Sequence, residues 1–74
     1  MRLTDLELGE TYVAVRSFKD DDGTLVLVGD RFTLERIAPS GGTFALDCEQ
    51  ETLHLDEERQ AEIVEHVDRF LRLA

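Results

Sequence analysis

The stretch TLVLVGDRFTLERIA, residues 24–38, decides how this chain is read. Leu25 and Leu27, then Phe32 and Leu34, recur at every second position, which is the period of a strand with one apolar face. Gly29-Asp30 lies between the two runs and is a two-residue hairpin signal. Thr24–Val28 and Arg31–Ala38 are therefore expected to pair, with Leu27 opposite Phe32 and Leu25 opposite Leu34.

Working toward the C-terminus, Pro39–Gly42 reads as a loop and Thr43–Cys48 as the next strand. Glu49-Gln50-Glu51 turns the chain into a short strand, Thr52–Leu55. Cys48 opposite Leu53, Leu46 opposite Leu55 and Leu34 opposite Leu46 would put every apolar side chain on one face. Ile37 falls out of phase with Leu34, which predicts a bulge near Arg36. Working toward the N-terminus, Lys19–Gly23 is a turn, Thr11–Phe18 a strand, and residues 1–10 a lead-in. Val13 and Val15 join the common face, while Tyr12, Ala14, Phe18, Val26 and Val28 lie on the other. Strands one and two are thus apolar on both sides. A helix, curling of the sheet into a barrel, or a second copy in a homodimer would have to cover the surplus.

After Leu55 the period changes. Ile63, Val67, Phe70, Leu71 and Ala74 fall on one helical face, and Asp56 is a good N-cap. Acids at the start (Asp56, Glu57, Glu58) and Arg69 and Arg72 near the end suit the helix dipole. A helix over 56–74 is expected, with Glu58, Glu62, Glu65 and Arg69 as its outer stripe. The whole, residues 1–74, is one domain: lead-in 1–10, β-meander 11–55, helix 56–74.

The motifs Leu8-Gly9-x-x-Tyr12, Phe18-x-Asp20-x-Asp22-Gly23 and Gly29-Asp30-x-Phe32 resemble a family of short uncharacterised bacterial proteins with an SH3-like, five-stranded small barrel. The resemblance covers residues 8–55. It implies a five-stranded antiparallel SH3-like barrel or curled sheet with an appended helix. Its functional implication is a binding module and no particular activity.

Charge narrows the partners. The chain carries 17 acids against 8 Lys and Arg, a net charge of -9. Such a surface repels phosphate backbones and anionic lipid, so direct nucleic-acid or membrane binding is not expected, whereas a basic protein is attracted. No apolar run approaches a membrane span and no secretory leader is evident, so the cytoplasm is the expected location. The single cysteine, Cys48, leaves no intramolecular disulfide.

Candidate chemistry fails on spacing. With Gly23 at the sixth position of a calcium loop, Phe18 and Gly29 would fall where carboxylates are needed. One Cys and two His have no zinc spacing. Cys48 and His54 sit across a turn, but the register puts them on opposite faces and leaves Cys48 a small core hydrophobe. His54 is expected to face Asp47 as a surface pair. Ser40-Gly41-Gly42 does not lead into a helix and so is no phosphate loop. The chain is therefore read as non-enzymatic, with no cofactor and no metal.

The remaining feature is acidic. Nine acids lie between Asp47 and Asp68. Glu51, Asp56, Glu58, Glu62 and Glu65 are the candidate partner-binding residues. Two functions fit. One is a small acidic protein-interaction module, able to form a homodimer. The other is an acidic inhibitor of the immunity or anti-defence type, which blocks a basic nucleic-acid-binding protein.

Overall fold

The computed structural model describes residues 1–74. A single turn of 3-10 helix at Leu3–Asp5 leads into β1 (Thr11–Ala14), β2 (Phe18–Lys19), β3 (Leu25–Val26), β4 (Arg31–Ser40), β5 (Thr43–Cys48) and β6 (Thr52–Asp56). The short helix α1 (Ala61–Glu65), a second 3-10 turn (Val67–Arg69) and β7 (Leu71–Leu73) complete the chain. One antiparallel sheet of five strands has the order β6-β5-β4-β1-β7, and β2-β3 form a separate ribbon. The protein is mainly β, as expected. The five-stranded sheet ends at β6 on one side and β7 on the other, so it is not a closed barrel.

The β4–β5–β6 part forms for the reasons visible in its sequence. Thr43–Cys48 is a strand with the expected bounds. The expected irregularity is there too, as a register shift between Leu34 and Arg36. Its effect is larger than anticipated. Leu34 stands opposite Cys48, not Leu46, and Ile37 takes the place opposite Leu46. On the other side Leu46 faces Leu53 and Phe44 faces Leu55, a slip of two residues from the expected register. A slip of two keeps each side chain on its face, so the apolar alternation is satisfied by either register. The tighter turn is decided by backbone pairing, with the Cys48 N–H bonded to the Glu51 carbonyl at 3.1 Å.

The stretch around Gly29 behaves differently. No hairpin joins β3 to β4. Leu27 and Asp30 close a turn, with the Asp30 N–H on the Leu27 carbonyl and the Leu27 N–H on Asp30 Oδ2. Gly29, at φ 96°, supplies the left-handed backbone that the turn needs. β1 then takes the partner expected for β3: Tyr12 stands opposite Phe32 and Val13 opposite Arg31. The pairing runs on into the turn, because Ala14 exchanges bonds with Gly29 and Asp30. The meander is broken here, and β3 pairs only with β2. The expected faces of β1 invert as well. Tyr12 and Ala14 are buried, whereas Val15 is exposed.

The C-terminal helix over 56–74 is not formed. Only Ala61–Glu65 is α-helical, and Leu71–Leu73 pairs with β1. Asp56 does accept bonds from the Glu58 and Arg59 N–H groups, as a cap would, but it caps a turn. Helices this short draw their stability from packing rather than propensity. Here β1 offers an edge, and Leu71 reaches the core equally well from a strand. Ile63, Val64, Val67, Phe70 and Leu71 are all buried. Glu65 and Arg69, four apart, form no ion pair, since the helical spacing that would create it ends at Glu65, and Asp68 pairs with the Met1 ammonium rather than with Arg72.

The core lies on one side of the sheet, closed by the β2-β3 ribbon, α1 and the N-terminal turn. Leu3 and Leu6 of the lead-in are buried in it. Phe18 meets Phe70 edge to face, with ring centroids 5.6 Å apart.

Candidate interaction surfaces

Three surface features emerge. The first is apolar. Leu27 and Val28 are 52% and 65% exposed, and Leu25 is as open as Leu27. The Gly29–Ala14 bond brings Val15 beside this stretch. The surplus expected on strands one and two is therefore left uncovered at Val15 and Val28, while Tyr12, Ala14, Phe18 and Val26 of the same two strands are buried.

The second is polar. Gly41, Gly42, Asp56, Glu57 and Glu58 line an open depression of about 480 Å³. It brings together two of the five candidate partner-binding residues, Asp56 and Glu58. The Asp56 carboxyl is held below its ordinary range, first by the Arg59 N–H and then by the Glu58 N–H and the Arg59 guanidinium 3.5 Å away. Its hydrogen bonds serve the turn. The other three candidates lie apart. Glu62 is on α1 and pairs with Arg16 at 3.3 Å, Glu65 ends α1, and Glu51 is exposed at the far end of β6 from Asp56. The expected stripe Glu58–Glu62–Glu65–Arg69 does not exist as a helical face, because only Glu62 and Glu65 are helical.

The third is a notch of about 350 Å³ beside β7, lined by Met1, Tyr12, Leu71 and Leu73 together with Asp5, Glu7, Asp68 and Arg72. Nothing in the sequence pattern singled it out, because it depends on residues 71–73 being a strand.

The reactive side chains fall as follows. Cys48 is half-buried and its thiol is pushed up to about 11, first by burial and then by Asp47, Glu35 and Glu51. His54 stands opposite Ala45, on the other side of β5 from Cys48, so the two do not meet. His54 is also not opposite Asp47. It lies 3.5 Å from Asp22, while Asp47 pairs with Arg36 at 3.2 Å and faces Thr52.

Sequence reasoning missed Asp20. It is only 4% exposed. Its Oδ1 accepts the Asp22 and Thr24 N–H groups, and its Oδ2 the His54 N–H. The first contact is an ordinary Asx-turn that Asp20-Asp21-Asp22-Gly23 could have announced. The third spans the fold and has no local signal. Gln60 was also missed. Its side chain accepts the Asp56 N–H and donates to the Lys19 carbonyl.

The fold has a solved counterpart. An integron cassette protein from the mobile metagenome of Vibrio cholerae superposes with a TM-score of 0.89 at 22% identity, over 96% of this chain and 91% of that one. At that identity the likeness shows a shared fold. No protein-family model matches the chain, and no curated protein matches it. No helix is long and apolar enough to cross a membrane.

Proposed function

We propose that this chain is a small non-enzymatic protein-interaction module that binds its partner through the apolar cluster of Val15, Leu25, Leu27 and Val28. The observation that supports this reading is the exposure of these side chains on a chain otherwise rich in charge. Contiguous apolar surface costs solubility and marks contact sites. The turn at Gly29 beside Val28 stands in open space, since a Cβ there would meet nothing within 4 Å.

The test is capture of partners by the chain and by a Leu27→Glu, Val28→Glu variant, at low and at raised salt. A partner that survives salt and is lost with the variant supports the module. A basic nucleic-acid-binding protein that leaves with salt and ignores the variant would instead favour the acidic inhibitor. Recovery of the chain alone, with a doubled mass in solution that the variant lacks, would make the partner a second copy.

A further inference from the structure

The two ends of the five-stranded sheet are treated differently. On β6 the backbone that points away from β5 is closed off. His54 donates its N–H to Asp20 and accepts the Asp21 N–H on its carbonyl. Asp56 donates its N–H to the Gln60 side chain and accepts the Gln60 N–H. Such cover stops an edge from pairing with another chain.

β7 has no such cover. The Val15 N–H bonds the Phe70 carbonyl, the Ala74 N–H bonds the Thr11 carbonyl, and Arg72 stands opposite Val13. In an antiparallel ladder the backbone groups alternate in direction. Those of Arg72 therefore turn toward β1, and those of Leu71 and Leu73 turn away from it, where no strand lies. The notch opens beside this edge, and Leu73 is 63% exposed within it.

We propose that β7 accepts an added strand from a partner protein, and that this segment is extended and alternates apolar with basic residues. Backbone bonds to Leu71 and Leu73 would hold it, and its alternate side chains would enter the notch. The charge selects the occupant. Asp5, Glu7 and Asp68 line the notch against Arg72 and the Met1 ammonium, and the chain as a whole carries -9. A Lys- or Arg-bearing strand is drawn to such a surface, and a second copy of the chain is repelled from it. The inference rests on the reading of the chain as an interaction module, but it uses a different surface from the Val15–Val28 cluster.

The experiment is a titration of the full isotope-labelled chain with a short capped peptide alternating Lys and Val, beside one alternating Glu and Val. The backbone amides are followed by NMR. The Lys peptide should move the Leu71, Leu73 and Tyr12 signals and slow hydrogen exchange at Leu71 and Leu73 by at least ~10-fold at saturation. The Glu peptide should leave them in place. Leu73→Pro removes an outward N–H and leaves the Arg72 pairing intact, so the Lys peptide should bind it roughly tenfold more weakly or worse. If that variant lost its fold, Leu73→Lys would serve, since it repels the same peptide from an exposed site. Leu27→Glu with Val28→Glu should bind the peptide as the parent does, which separates a failure here from a failure of the apolar cluster. Shifts confined to other residues, equal binding of both peptides, undiminished binding by the folded Leu73 variants, or no binding would each overturn the proposal. So would slowed exchange at Leu71 and Leu73 that grows with protein concentration alone, which would assign the edge to a second copy.

Discussion

Asp20 Oδ2 accepts the His54 backbone N–H at 3.0 Å, and the Asp21 N–H returns a bond to the His54 carbonyl. The turn after β2 is thereby fastened to the outer edge of β6. The remaining oxygen of Asp20 holds its own turn together through Asp22 and Thr24. One buried carboxylate thus joins the small ribbon to the main sheet.

Asp20→Ala strands three backbone N–H groups at once. A buried donor left unmet costs about 1–3 kcal/mol, and some of these can reach water, so about 3 kcal/mol in total is expected. Urea unfolding measures it, with Lys19→Ala as an exposed control. Equal midpoints for Asp20→Ala and the parent would show that the staple contributes nothing.

Cys48 should be a slow nucleophile. Its thiol is raised to about 11 from an ordinary 9.0, so near pH 8 the folded chain holds ~100-fold less thiolate than the unfolded chain. Iodoacetamide should modify the folded protein correspondingly slowly and the urea-unfolded protein at the usual rate. The linkage follows the same sign. A thiol raised on folding contributes stability that is complete below 9.0 and is lost as pH rises through about 11. Rapid alkylation of the folded chain would contradict the burial of this side chain.

Asp56 works in the opposite direction. Its carboxyl lies below the ordinary 3.8, chiefly because the Arg59 N–H bonds the charged form. A group lowered on folding contributes stability above its unfolded value, and that contribution is lost as pH falls through the lower folded value. The stability gap between the parent and Asp56→Asn should therefore be present near neutrality and shrink below 3.8. A gap that stays constant through acid would show that the charge is not what the turn uses.

Burial separates two leucines that look alike in sequence. Leu53 is fully buried and Leu27 is not. Leu53→Ala should cost about 2–5 kcal/mol, enough to unfold much of so small a domain. Leu27→Ser should change stability by no more than ~0.5 kcal/mol. Calorimetric midpoints decide it, and a large loss from Leu27→Ser would place that side chain in the core.

The chain's own pattern determined what is local. Alternation in residues 43–55 and the phase break at Ile37 made two strands and a bulge legible, because period-two burial and turn residues act within a few positions. The excess of acid was equally plain, although its arrangement was not. What only the tertiary structure decided was competition between partners. Val13 could face β3 or β4, and Leu71 could bury itself from a helix or from a strand; the local energies of these choices differ little. In the folded chain β1 lies between β4 and β7, and β3 pairs with β2 alone. Asp20 and the β7 edge, on which both the stability and the proposed strand site depend, belong to that second class. They exist through contacts between residues far apart in the chain, and no period along the sequence encodes such contacts.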